Sequence, residues 1–237
     1  MRLKEKISII TGAASGFGKG IAKKFSEEGS KLILVDINKD LLEKVSKELN
    51  QDFFHTDVAS YNSMQKLSKY VLKKYGTIDI MVNNAGITHL PKPLEQVSEE
   101  EFDKIFAVNS KSVFLCGKFF VPHMKKQKKG SILNISSTAG ISPRPNLNWY
   151  NATKGWMITA TKAMAVELAP FNVRVNSLAP VAGETPLLKS FLGEDTPERR
   201  KAFLSTIPLG RFSTPEDLGN AACYLCSDEA SMITGAI

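Results

Sequence analysis

Tyr150 and Lys154, in the stretch Asn148-Trp-Tyr-Asn-Ala-Thr-Lys-Gly-Trp156, have the spacing of one helical turn. That spacing sets a phenol and an ammonium on one face of a helix. A phenol titrates near ~10 and is a poor base at neutral pH, whereas a neighbouring cation favours the phenolate. Lowering its pKa by two to three units takes about 3–4 kcal/mol, attainable in a site that excludes water. The spacing alone establishes nothing, because only six of the 31 basic residues are arginine and lysine is therefore common. Tyr70 and Lys74 repeat it in an amphipathic segment. What surrounds each pair decides between them.

The first apolar run leads into Thr11-Gly12-Ala-Ala-Ser-Gly16-Phe-Gly18 and then a helical pattern. Glycines there let the backbone turn tightly and approach a pyrophosphate, whose charge suits a helix N-terminus. Asp36 ends the second run, where a carboxylate bonds the ribose hydroxyls of an adenosine and repels a 2′-phosphate. His55-Thr-Asp-Val58 and Val82-Asn-Asn-Ala-Gly86 close two further runs. In open α/β sheets the ligand crevice lies at those strand ends. Asn83 and Asn84 favour a turn, and the small Ala85 and Gly86 let a flat ring lie close.

These residues need a scaffold, and the apolar pattern supplies one. Runs at 6–11, 31–36, 52–57, 78–83, 131–136 and 173–178 suit strands, several apolar nearly throughout as in strands covered on both faces. Helical periodicity lies between them at about 17–28, 39–49, 61–75, 98–122 and 150–169. The alternation predicts an α/β fold, a single-domain Rossmann-like doubly wound parallel sheet with helices on both faces. No linker divides residues 1–237, so one domain is expected. Residues 182–213 break the rhythm with prolines and two short helical patterns, near 186–192 and 197–206. A connection of that length is usually functional, and it is expected to act as a substrate lid. A helix at 215–227 precedes the closing ITGAI, where a strand is expected; the C-terminal strand looks missing.

Hydrophobic content of 43% and charged content of 23% are ordinary for a soluble protein. No apolar run approaches the ~18 residues of a membrane span, and the start lacks a signal-peptide pattern, so a cytoplasmic location is expected. The net charge of +7 is scattered over helices, densest at Lys125, Lys126, Lys128 and Lys129. A nucleic-acid binder gathers its charge on one face, so neither nucleic acid nor membrane is expected as a partner. Three cysteines, Cys116, Cys223 and Cys226, argue against a disulfide framework. Cys223 and Cys226 form a C-x-x-C within a helical pattern and read as core packing. His55, His89 and His123 show no metal spacing, and no metal is expected.

The joint pattern TGAASGFG, NNAG, Asn109 in a helix, Ser136-Ser137, YNATK and RVNSLAP resembles the short-chain dehydrogenase/reductase family, in order and spacing, from residue 5 to 235. The resemblance implies a catalytic set of Asn109, Ser137, Tyr150 and Lys154. The family's serine lies 13 residues before its tyrosine, which selects Ser137 over Ser136, whereas Tyr70 has Asp57 at that offset. It implies cofactor contacts at Gly12, Ser15, Gly16, Phe17, Gly18, Asp36, Ile37, Asp57, Val58, Asn84, Ala85, Gly86, Tyr150, Lys154, Gly183 and Thr185. In the roles it implies, Tyr150 moves the proton and Ser137 aligns the substrate oxygen. Lys154, helped by the positive nicotinamide of an oxidised cofactor, lowers the phenol pKa and holds the nicotinamide ribose, and Asn109 holds a relay water.

Two positions depart from the family pattern. Pro180 is followed by Val181 where glycine is usual, with Gly183 two residues later and Thr185 at the family offset. The missing last strand also bears on assembly, since the family resemblance implies a homo-oligomer, tetramer or dimer. The expectation is an oxidoreductase that interconverts a secondary alcohol and a ketone. Asp36 favours NAD(H) over NADP(H), and a small polyol, sugar or cyclic alcohol is the expected substrate. Its walls are expected from 88–91, 138–147 and 182–213, with Trp149 and Trp156 packing and Trp149 able to edge the pocket. Two rivals stand beside it: a 3-oxoacyl-thioester (acyl-carrier-protein) reductase, with the lysine cluster meeting the carrier, and a non-catalytic NAD-binding sensor or scaffold.

Overall fold

The computed structural model describes residues 1–237. Six parallel strands form one sheet in the order β3-β2-β1-β4-β5-β6: β1 (Ile7–Thr11), β2 (Lys31–Asp36), β3 (Asp52–His55), β4 (Ile80–Asn83), β5 (Gly130–Ile135) and β6 (Val173–Leu178). The chain thus runs outward from β1 to β3, then returns across β1 and winds the other way. Residues Ile10, Leu34, Val82 and Leu133 lie abreast in the register of the central strands.

Strand side chains alternate between faces, and this sheet uses both. Ile10, Leu34, Val82 and Leu133 join one buried cluster of 19 residues with Phe25 and Ala222. That face is covered by α1 (Gly16–Glu27), α2 (Lys39–Leu49) and α9 (Pro215–Cys226). Ile9, Ile33, Met81 and Ile132 join a second cluster of 19 with Leu67, Phe120 and Leu168. It is covered by α3 (Tyr61–Tyr75), α5 (Ser112–Gln127) and α6 (Asn148–Leu168). Double coverage is why the strands read as near-continuous apolar runs.

The expected helix at 98–122 is three pieces. α4 (Glu99–Phe106) starts from a capping box of Ser98 and Glu101. A π turn at Ala107–Lys111 carries Asn109 at its centre, and α5 continues to Gln127, past Pro122. After β6 come α7 (Leu188–Leu192) and α8 (Pro197–Leu204). They pack on their own small cluster of Leu188, Leu192, Ile207 and Phe212, against which Val181 rests. The ends of this segment are tied together, since Glu184 donates to Ser213 O (2.9 Å) and Ser213 donates to Ala182 O (3.1 Å). Val181 therefore has a packing role at the position where the family pattern has glycine.

No seventh strand forms, but the last residues run along the β6 edge. Gly235 N donates to Val175 O (2.7 Å), and Ala236 O accepts from Ser177 N (2.9 Å). Cys223 and Cys226 lie buried in α9, with the Cys226 thiol pushed up to about 12 by burial.

Candidate active site

The glycine turn after β1 is built for close approach. Gly12 adopts φ +66°, in the left-handed region that favours glycine. A Cβ on Gly18 would stand 2.0 Å from Gly12 O and 2.5 Å from Asn84 Nδ2. Gly18 is fully enclosed by that packing and does not border the cavity described below. It supports the turn from beneath, and its expected cofactor contact stands as an expectation. Asn84 stitches the same turn to β4 through Nδ2, which donates to Thr11 O (2.9 Å) and Gly12 O (3.2 Å). Thr11 Oγ1 accepts from Asn84 N and Ala85 N, both at 3.0 Å, and donates to Val82 O (3.2 Å). Thr11 was not among the expected site residues; its side chain fixes where two of them stand.

One cavity of about 640 Å³ runs along the C-terminal ends of the strands. Gly12, Ser15, Gly16 and Phe17 border it from the first turn, Asp36 and Ile37 from β2, and Asp57 and Val58 after β3. Asn84, Ala85 and Gly86 border it after β4, Ser137 after β5, Tyr150 and Lys154 from α6, and Gly183 and Thr185 after β6. Of the expected residues, Gly18 and Asn109 stand behind the wall. The stretch 88–91 also stops short of it, and Ile87 lines the cavity instead. Trp149 packs edge-on against Phe102 at 5.4 Å and Trp156 against Phe106 at 6.4 Å, both away from the cavity.

The nucleotide-like end fits an anion and a ribose. The N-cap of α1, Ser15, makes no side-chain cap bond, whereas Asn38, Ser60, Ser98, Thr196 and Thr214 cap their helices. The first amide groups of α1 are left to meet a negative charge. Asp36 accepts from Ala14 N (3.1 Å) and Asn38 N (2.9 Å), which fixes its carboxylate on the cavity wall. Each oxygen retains acceptor capacity for a hydroxyl.

At the other end, α6 presents Tyr150 and Lys154 together. The Lys154 Nζ lies 5.7 Å from the Tyr150 ring centroid and donates to Ile135 O at 2.8 Å. Burial pushes Lys154 down to about 8. Burial also pushes Tyr150 up to about 12, with the Ser137 hydroxyl acting in the opposite direction. The expected lowering draws on the positive nicotinamide of an oxidised cofactor as well as on Lys154, and the protein's own groups alone leave the phenol high. Desolvation of the phenol, which packs edge-on to Phe191 at 5.2 Å, outweighs the Ser137 hydrogen bond. Ser137 Oγ accepts from Ala139 N (3.1 Å), which aims the hydroxyl from the turn after β5.

Asn109 Oδ1 accepts from Ile87 N (2.9 Å), and its Nδ2 donates to Ile87 O (2.9 Å) and Thr153 Oγ1 (3.1 Å). Thr153 in turn donates to Tyr150 O (2.7 Å). Both amide protons are thus committed to protein acceptors. A Cβ on Gly86 would lie 3.4 Å from both Asn109 Oδ1 and Lys154 Nζ, so the three meet at one point.

The second Tyr–Lys pair shares the spacing and the cation-to-ring distance, 5.8 Å against 5.7 Å, but not the surroundings. Lys74 is ion-paired to Asp52, which raises its pKa, and it reaches Tyr70 OH at 3.4 Å. Asp52 opens β3, at the strand end opposite the cavity.

Sequence reasoning did not single out Arg144, Asn151, Phe191 or Phe203, all of which border the cavity. The first lies inside the stretch 138–147 expected to form a wall, and an arginine among prolines and apolar residues was the signal available there. The phenylalanines come from α7 and α8, whose docking no local pattern encodes.

The family model described as Enoyl-(Acyl carrier protein) reductase matches residues 12–237. The 4-formylbenzenesulfonate dehydrogenase of Comamonas testosteroni is 40% identical, over 99% of this chain and 96% of that protein. The 3-oxoacyl-(acyl-carrier-protein) reductase of Thermotoga maritima is 42% identical, over 100% and 96%. Among solved structures, a 3-ketoacyl-(acyl-carrier-protein) reductase from Brucella melitensis complexed with NADH superposes with a TM-score of 0.94. It is 46% identical, over 99% of this chain and 96% of that one.

Proposed function

This chain belongs to the short-chain dehydrogenase/reductase family, and within it we propose an NAD(H)-dependent oxidoreductase that interconverts a secondary alcohol and a ketone. The observation that carries this reading is one cavity bordered at one end by the open N-terminus of α1 and Asp36, and at the other by Ser137, Tyr150 and Lys154. Gly12, Ser15, Gly16 and Phe17 would take the pyrophosphate, Asp36 the adenosine ribose, and Gly183 and Thr185 the nicotinamide end. Hydride acceptance or donation is the chemistry such a cofactor supplies when bound.

The remaining work falls to the chain's own residues. Ser137 hydrogen-bonds the substrate oxygen and aligns it with the Tyr150 phenol, which moves the proton. Lys154 keeps two N–H donors beyond the one given to Ile135, and these suit ribose hydroxyls. Its charge favours the phenolate once a further positive charge stands beside it. Asn109 acts as a positioning residue through Ile87 and Thr153, with the relay water of the family pattern held nearby. The substrate side carries Leu147, Phe191 and Phe203, which suits a small cyclic alcohol, or a polyol or sugar with an apolar face.

A second reading is favoured by the Thermotoga maritima and Brucella melitensis proteins, both named as reductases of thioesters on a carrier protein. Lys126 and Lys128 are exposed and lack an ion-pair partner, which suits an acidic carrier. Asp36, through its repulsion of a 2′-phosphate, speaks only against a form of it that takes NADPH, and the Brucella melitensis protein is complexed with NADH. We further propose a homo-oligomer, supported by exposed Phe102, Phe106, Phe114 and Trp156 on α4, α5 and α6. A cytoplasmic location is supported by three free cysteines.

The test is a panel of secondary alcohols and ketones followed through NADH absorbance, with NADP(H) and an acetoacetyl thioester as comparison arms. Turnover of alcohols with NAD is expected. Turnover confined to the thioester, with either cofactor, replaces the first reading with the second, and turnover of nothing in the panel removes both.

A further inference from the structure

Arg144 is the one guanidinium in this chain left short of partners. Arg2, Arg199, Arg200 and Arg211 are each ion-paired to a carboxylate. Arg174 donates to Ile233 O, Ser227 O and Ser131 Oγ. Arg144 has no acidic partner, and a single bond engages its head, from Nη2 to Thr206 Oγ1 at 2.8 Å. Nε and Nη1 have no protein acceptor. The group is half-buried, and burial pulls its pKa downward. Its free N–H donors are thus open to solvent or to an anion that reaches them.

Its position favours the anion. The guanidinium lies over the Phe203 ring at 4.0 Å, and both residues border the cavity that also holds Ser137 and Tyr150. Its main chain is clamped to the helix of Tyr150, since Asn151 Nδ2 donates to Arg144 O at 2.7 Å. The main chain is therefore held by α6, and the head by Phe203 of α8 and Thr206 just after it. The acids that border the cavity, Asp36 and Asp57, stand after β2 and β3, on the far half of the sheet from the β5–α6 connection that carries Arg144.

We propose that Arg144 is a substrate-binding residue, and that the alcohol or ketone taken by this site carries its own oxyanion, a carboxylate or similar group, separated from the reacting carbon by an apolar ring or short chain. The planar guanidinium fork matches such a group bidentately. Leu147 and Phe191 flank the span between the two ends. The proposal rests on the oxidoreductase reading for the reacting carbon, but not for the anion site itself.

The probes are 4-acetylbenzoate and its neutral isostere 4-acetylbenzamide. With protein saturated with NADH, calorimetry should show the carboxylate binding about 30-fold more tightly, the worth of a good charge-assisted pair. In Arg144→Met that ratio should fall to near one, and Arg144→Lys should keep part of it. The same ratio should appear in KM for the two ketones when reduction is followed. Equal binding of both probes by the wild-type protein overturns the proposal. So does an Arg144→Met variant that keeps the wild-type ratio, which would leave Arg144 as a tie to Thr206. Preferential binding of the carboxylate without reduction of either probe upholds the anion site and counts against the hydride-transfer reading. Reduction of both with equal KM does the reverse.

Discussion

Lys154 and Ile135 are joined by a hydrogen bond of 2.8 Å, from the ammonium on α6 to the last carbonyl of β5. The bond pins a buried cation at the C-terminal end of β5, where Ser137 follows two residues later. It separates this lysine from Lys74, which shares the Tyr-x-x-x-Lys spacing but meets a carboxylate at the opposite end of the sheet. One ammonium is made easier to deprotonate by burial, and the other is made harder by its ion pair.

Replacing Tyr150 with phenylalanine removes the only atom the substitution can remove, the phenol oxygen. If that oxygen moves the proton, kcat should fall by about 100-fold or more, the usual scale of general acid–base catalysis. The ring's contact with Phe191 is kept, so NADH should still bind, which fluorescence titration checks. Turnover near the wild-type rate would defeat the proposed role.

Asp36→Asn keeps the shape of the side chain and an oxygen able to accept one of its two backbone bonds, to Ala14 N or Asn38 N. It removes the charge that repels a 2′-phosphate. The preference for NADH over NADPH, measured as a ratio of kcat/KM, should shrink by about 10-fold, worth about 1.4 kcal/mol. A ratio unchanged by the substitution would sink the cofactor assignment.

Gly18→Ala tests whether that glycine supports the turn or touches a ligand. The new methyl would stand 2.0 Å from Gly12 O, in packing with no room to yield. Overpacking of this kind costs about 1–3 kcal/mol, which lowers Tm by roughly 2–12 °C in a chain of this size. A variant with unchanged Tm and weakened NADH binding would place Gly18 among the cofactor contacts.

Most of this fold was legible because it depends on local patterns. The strand runs from β1 to β6 are apolar since both faces are buried, and the turn from Thr11 to Gly18 carries its glycines where the backbone must crowd. Tyr150 and Lys154 stood out by their spacing together with those turns, and Ser137 through the family resemblance; all three border the cavity. The π turn at Asn109 was not, because nothing in Ala107–Lys111 distinguishes a single wider turn from the α-helix on either side. Arg144 and Phe203 meet only after the segment between β6 and α9 folds back over α6, a contact between residues far apart in sequence. The burial that raises the Tyr150 pKa, with Phe191 edge-on to its ring, is likewise a tertiary fact.

Lys154→Met should separate stability from function. Lys154 titrates at about 8 in the folded protein, against 10.5 for an ordinary lysine. Below pH 8 both folded and unfolded chains carry the proton, and the folded state bears the whole cost of burying the charge. That cost is about 3 kcal/mol at 1.36 kcal/mol per unit. Methionine fills similar space without charge, and the orphaned Ile135 carbonyl returns about 1 kcal/mol of the gain. At pH 7 the variant should thus be more stable by about 2 kcal/mol, while losing turnover. As pH rises from 8 towards 10.5 the unfolded chain holds more protons than the folded one, so wild-type stability climbs relative to the variant. Urea unfolding of both proteins at pH 6.5, 8 and 9.5 measures the difference. A variant that is less stable at every pH, by a constant amount, would mean that the buried ammonium stabilises the fold instead of straining it.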